Sequence, residues 1–181
     1  VLKGHIAVAS KVMEDTTTGD ELDKLARAAL REIGLDFAHG TGHGVGCMLA
    51  VHEEAPYISP GVTDEYYKPG MLLSNEPGYY IENGYGIRHE NLILCQESED
   101  GKLFWETVTL VPFDLRGVDW DMMDPKEIEW LKSYHTTVFE VLRPFLASEE
   151  VDWLHDACFS YFQDIYKEGH FEPNPVGNLP E

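Results

Sequence analysis

The stretch Phe37-Ala-His-Gly-Thr-Gly-His-Gly-Val-Gly-Cys-Met-Leu-Ala-Val-His-Glu53 decides how the rest of the chain is read. Glycines at 40, 42, 44 and 46 alternate with Thr41, His43 and Val45. That pattern is wrong for a helix interior and predicts a strand or strand-loop with close backbone approach. In an extended segment residues two apart share a face, so His39, Thr41, His43 and Val45 are expected to point one way. The glycines opposite would let a neighbouring element pack tightly. With His52, the run gathers three histidines.

Two acids follow in separate apolar surroundings. Ser74-Asn-Glu-Pro-Gly-Tyr-Tyr80 places Glu76 after Met71-Leu-Leu73, and Gly86-Ile-Arg-His-Glu-Asn91 places Glu90 before Leu92-Ile-Leu94. Carboxylates beside hydrophobic runs are expensive to bury unless something cationic neutralises them. One imidazole and two carboxylates make a partial ligand set for a divalent metal of Zn, Mn or Fe type. The spacing is not HExxH, and the two acids can equally pair with Arg88 and Lys68, so the pattern alone leaves both readings open. His5, His89, His135, His155 and His170 stand singly and read as satisfied core or surface residues.

Composition narrows the function classes. The 181 residues suffice for a sizeable core. Against 13 Lys+Arg stand 33 Asp+Glu, a net charge of −20, which repels phosphate backbones and disfavours nucleic-acid partners. Cys47, Cys95 and Cys158 form no CxxC pair, which argues against a disulfide framework or a thiolate zinc site and suits a reducing, cytoplasmic setting. No apolar run approaches the roughly 20 residues of a membrane span, and no signal peptide is read at the start.

Periodicity supplies the elements. Leu2 to about Met13 reads as the end of a helix. Thr18 and Glu21 resemble a capping box opening a second, with Leu22, Leu25, Ala26, Ala29, Leu30 and Ile33 on one face and Gly34 closing it. Residues 53–70 carry three prolines and two glycines and read as a surface loop. Met71–Asn75, Tyr79–Ile81, Gly86–Cys95 and Leu103–Pro112 read as strands, with Glu82-Asn83-Gly84 turning a hairpin. Asp124-Pro-Lys-Glu127 is a strong helix start, followed by Ile128, Leu131, Tyr134, His135, Val138, Val141, Leu142 and Phe145 at helical spacing. A further helix is expected from Glu149 to about Tyr166, with Val151, Leu154, Cys158, Tyr161, Phe162 and Ile165 inward, and then an irregular tail.

Taken together, His39–Gly46, Val51-His-Glu53, Ser74–Tyr80 and Gly86–Asn91 resemble the C-terminal part of the Xaa-Pro aminopeptidases, in the metallopeptidase family of the creatinase/aminopeptidase "pita-bread" fold. The likeness extends through Val1-Leu-Lys-Gly-His-Ile-Ala7, Thr109-Leu-Val-Pro112 and Glu129–His135, and covers roughly residues 1–147. It implies an α/β (α+β) architecture: a curved antiparallel sheet with flanking helices over residues 1–115, part of the catalytic domain, and a C-terminal helical extension over 116–181. It implies two divalent metal ions, manganese before zinc or cobalt, and a peptide substrate with proline in second position. The metal ligands would be His43, Glu76 and Glu90, with Glu76 also the general base. His52 would contact the peptide and pass a proton, His39 would line the pocket, and Arg88 would anchor the carboxylates. Oxygen-rich ligation with one imidazole favours a hard ion such as Mn²⁺.

The resemblance also implies two aspartate ligands that these residues do not contain. Asp15, Asp20, Asp23 and Asp36 sit in helix or turn contexts and do not replace them. The expectation is therefore a chain holding three of five ligands and inactive by itself, with one sheet edge uncovered. A prolidase-like dipeptidase and a non-catalytic interaction domain of the same fold are the alternatives. The helices after Asp124 could supply a homodimer surface.

Overall fold

Val1 leads into helix α1 (Leu2–Ala9), which stops sooner than its apolar spacing predicts. Ser10 ends it by donating its hydroxyl back to the Ile6 carbonyl. Met13, expected at the end of that helix, instead exchanges backbone hydrogen bonds with Leu103 and is fully buried. The computed structural model describes residues 1–48 and 50–167; the irregular tail expected after Tyr166 lies almost wholly outside them. Two compact units divide the chain, Val1–Thr109 and Leu110–Glu181.

In the first unit, α2 (Gly19–Glu32) begins at the expected capping box: Thr18 accepts from the Glu21 N–H while the Glu21 carboxylate accepts from the Thr18 N–H. Leu22, Ala26 and Leu30 are buried, but Ile33 is 63% exposed, because the helix has already ended and Ile33 has left its helical face. Gly34 then takes the left-handed conformation (φ +76°) that a helix stop favours. The two helices cross closely at Gly4, where a Cβ would fall 2.0 Å from the Ala26 carbonyl oxygen.

Strands β1 (Gly42–Gly44), β2 (Glu53–Ile58), β3 (Leu72–Asn75), β6 (Asn91–Glu97) and β7 (Leu103–Thr107) form one antiparallel sheet in the order β2-β1-β3-β6-β7. Two shorter strands, β4 (Gly78–Tyr80) and β5 (Gly86–Arg88), pair separately as the expected hairpin, with Asn83 at positive φ in its turn. Strand β2 corrects the surface-loop expectation for residues 53–70. It is an edge strand, where Pro56 is tolerated because an edge need not donate on its outer side. Strand β7 stops at Thr107, shorter than expected, with Leu103 and Trp105 facing inward. Ile93 and Cys95 of β6 join Leu73, Val8, Leu22 and Trp105 in the core.

The second unit is helical. Asp124 accepts from the Lys126 and Glu127 N–H groups, and the Glu127 carboxylate accepts from the Asp124 N–H, so α3 (Pro125–Leu142) starts where the sequence predicts. Its face of Ile128, Leu131, Tyr134, His135 and Val138 is buried; Val141 and Phe145 are not, Phe145 lying beyond the helix in a single 3₁₀ turn. Helix α4 (Ser148–Lys167) packs Leu154, Cys158 and Phe162 inward, while the side chain of Ile165 lies outside the described residues. No helix among the described residues is long and apolar enough to cross a membrane.

Candidate metal centre

The segment that delivers the histidines is fixed from α2 by one buried guanidinium. Arg27 Nε donates to Asp23 (2.7 Å), Nη1 to Asp36 (2.7 Å) and to the Phe37 carbonyl (2.6 Å), and Nη2 to the His39 carbonyl (2.6 Å). The other oxygen of Asp23 accepts from the Thr41 hydroxyl at 2.8 Å, and the Thr41 carbonyl accepts from the Glu76 N–H at 2.8 Å. One network therefore sets the backbone of His39, Thr41 and Glu76. It also corrects the expected alternation: the strand begins only at Gly42, and Thr41 is buried toward Asp23 rather than sharing a face with His39 and His43. The glycine prediction is met at Gly42, where a Cβ would fall 2.0 Å from the Ser74 carbonyl oxygen.

Packing β1 against β3 in this way brings His43 to Glu76, with Nε2 and Oε1 3.1 Å apart. Ser74 serves both residues: its Oγ accepts from the His43 N–H (3.0 Å) and donates to Glu76 Oε1 (2.9 Å). His43 Nδ1 lies 2.8 Å from the Gly44 carbonyl oxygen. A carbonyl only accepts, so Nδ1 carries a proton, and Nε2 points at the carboxylate. A proton on Nε2 or a divalent ion held by both groups accounts for that distance. Imidazole whose far nitrogen donates to a backbone carbonyl, beside a hydrogen-bonded carboxylate, is the usual support of a metal-binding pair. The donor set fits a divalent ion.

Glu90 joins through Arg88. The guanidinium lies 3.2 Å (Nε) from Glu90 Oε2 and 3.8 Å (Nη1) from Glu76 Oε2, so a cationic side chain stands between the two acids. Burial works against the charge of Arg88, but Tyr80, Glu90 and Glu76 around it raise its pKa above the ordinary value. No three His, Cys, Asp or Glu side chains among the described residues close on a single point. The ring of His52 stacks edge-on to that of His43, 4.2 Å between centroids.

His39, His43, His52, Glu76 and Arg88 line a cleft of about 560 Å³ together with Tyr57, Ser59 and Tyr80; Glu90 lies outside its lining. Reading the sequence missed Tyr80 as a site residue. His39 Nδ1 donates to the Gly40 carbonyl (2.7 Å), which leaves Nε2 to accept from the Tyr80 hydroxyl at 2.9 Å. The signal was present in the quoted Ser74–Tyr80 motif. Asp23 and Arg27 were missed as well, although an i,i+4 acid–base pair beside the apolar face of α2 marks a buried ion pair.

An antiparallel sheet backed by helices, with a histidine and two acids reaching its end, makes a mixed helix-and-sheet scaffold that carries a candidate metal centre. The chain belongs to metallopeptidase family M24, whose model matches residues 1–97, with the C-terminal region of peptidase M24 matching residues 101–161. Among its relatives, aminopeptidase P1 of Arabidopsis thaliana is 38% identical over 166 residues, which is 87% of this chain and 26% of the relative. The crystal structure of X-prolyl aminopeptidase from Caenorhabditis elegans, described as a cytosolic enzyme with a di-nuclear active site, superposes with a TM-score of 0.80 at 40% identity over 87% of this chain and 27% of that one. The prolidase of Pyrococcus furiosus aligns with a TM-score of 0.52 at 34% identity over 61% of this chain and 31% of that one. The fold is the pita-bread fold, and the chain spans about a quarter of the length of the relatives it matches.

Proposed function

We propose that these residues form part of the catalytic centre of a metallo-aminopeptidase that removes the N-terminal residue ahead of proline. The observation that carries the reading is the His43–Glu76 contact, 3.1 Å between an imidazole nitrogen and a carboxylate oxygen, with Nδ1 of His43 committed to Gly44 and Ser74 joining the two residues. Membership of the M24 metallopeptidases and the likeness to aminopeptidases P support the reaction class.

His43, Glu76 and Glu90 would supply donors to two divalent ions, with Mn²⁺ suited to a set rich in carboxylate oxygen. Ions held there would acidify a shared water and polarise the scissile carbonyl. Glu76 accepts the proton, since Ser74 already steadies its Oε1. His52, edge-on to His43, is placed to pass a proton on the substrate side. His39, held in place by Gly40 and Tyr80, presents a fixed imidazole to the peptide. Arg88 keeps the two acids oriented. The relative from C. elegans supports a cytosolic setting for this protein too.

The test measures Mn²⁺-dependent release of the first residue from an Xaa-Pro tripeptide and from the matching dipeptide, using the longest form of the protein that contains residues 1–167. Tripeptide cleavage that falls about 10²–10⁴-fold in kcat with Glu76→Gln supports the reading. Cleavage of the dipeptide alone would make the protein a prolidase, and metal binding with no cleavage would leave an interaction domain.

A further inference from the structure

The two acids of the proposed centre leave the sheet from one cross-strand pair. Asn75 of β3 and Asn91 of β6 are partners in register, and each adjoins an acid, Glu76 and Glu90, one step beyond that pair. Asn75, Asn91 and His5 are almost completely buried, and both asparagines turn their side chains to His5. Asn75 Nδ2 donates to the His5 carbonyl at 3.0 Å, and Asn91 Nδ2 lies 3.2 Å from His5 Nε2. The opposite ring nitrogen, Nδ1, lies 3.2 Å from the His89 carbonyl oxygen. Because a carbonyl only accepts, Nδ1 holds the proton and Nε2 accepts from the Asn91 amide. The ring thus grips residues 89 and 91 from below. Residues 89 and 90 link β5 to β6, so holding 89 and 91 from the His5 side fixes the short backbone stretch that carries the side chain between them. That side chain is Glu90, which meets Arg88 at 3.2 Å.

We propose that His5, a residue of α1 remote from the cleft lining, is a positioning residue that aims the Glu90 carboxylate. Its backbone does the same for the segment carrying Glu76. The inference rests on the metal-centre reading for its purpose, but the geometry it asserts exists without metal. An apolar side chain at position 5 would fill the space but take away the ring that joins the buried Asn91 amide to the His89 carbonyl. Asparagine at position 5 keeps a side-chain amide but is too short to span both partners.

The experiment uses NMR on the 181-residue chain, following the Arg88 Nε–H resonance and the amide exchange of residues 88–92 and 42–44. In His5→Asn the Arg88 Nε–H is expected to move toward the shift of a free arginine and the amides of 89–92 to exchange faster, while 42–44 stay as in the wild type. Asn91→Ala, which cuts the same bond from its far end, must reproduce that pattern and keeps the test valid if the first variant folds poorly. An unmoved Arg88 resonance in a folded variant, or equal acceleration in both segments, overturns the proposal. In parallel, Mn²⁺ binding followed by electron paramagnetic resonance is expected to weaken about tenfold in His5→Asn. Wild-type protein that binds no Mn²⁺ even in the longest form containing residues 1–167 would sink the metal-centre reading alone, since the Arg88 and exchange signals still decide the role of His5.

Discussion

Arg27 is 3% exposed and directs its guanidinium at two carboxylates and two carbonyls, a fork that no other side chain reproduces. Arg27→Met would strand Asp23, which is 1% exposed, and is expected to destabilise the first unit by about 3–5 kcal/mol in urea unfolding. Arg27→Lys keeps the charge but not the fork, and should fall between. Ser74→Ala removes one acceptor and one donor from the His43–Glu76 contact and should cost about 1 kcal/mol in stability. The same change should lower Mn²⁺ affinity about 10–100-fold, as measured by titration calorimetry. His39, His43, Glu76 and Arg88 were legible from the sequence as a cluster because their motifs are dense and local. Tyr80, Asp23, Arg27 and His5 were not, because each earns its place through a partner far along the chain.

Helix ends were legible where capping is local: Thr18–Glu21 satisfies two N–H groups and Asp124–Glu127 three, each within four residues. Strands β1 and β2 were harder. Their pairing shifts register between Gly42 and Gly44, and β2 contains a proline that reads as loop until its edge position is known. Close approach between elements yields a sharp prediction at Gly4. A methyl there would fall 2.0 Å from the Ala26 carbonyl, so Gly4→Ala should force α1 from α2 and destabilise by about 1–3 kcal/mol. Gly117→Ala is the control, since a Cβ at 117 meets nothing within 4 Å, and its urea midpoint should stay within experimental spread.

Among the described residues each unit buries a histidine in its neutral form, His5 and His135, and burial also pushes the pKa of the half-buried His89 down to about 4. Burial pushes the pKa of His5 down to about 3. In the second unit burial lowers that of His135, whose Nδ1 donates to the Cys158 carbonyl while Nε2 accepts from the Phe113 N–H. An unfolded histidine titrates at about 6.5, so below that pH the unfolded chain binds protons the folded one refuses. Stability is therefore full above about 6.5 and is lost as pH falls toward the folded values. Urea midpoints should drop between pH 7.5 and pH 5, and the drop should shrink in His5→Asn and in His135→Asn. A midpoint independent of pH over that range would contradict the assignment of two buried neutral rings.

The central claim is that His43 and Glu76 face each other as metal donors. Its most direct test is the ¹⁵N spectrum of the His43 imidazole with and without Zn²⁺, chosen because it is diamagnetic. The account predicts an Nδ1–H tautomer in the free protein and a Zn²⁺-dependent shift confined to Nε2, lost in Glu76→Gln. A proton resting on Nε2, or a spectrum indifferent to the metal, would contradict it.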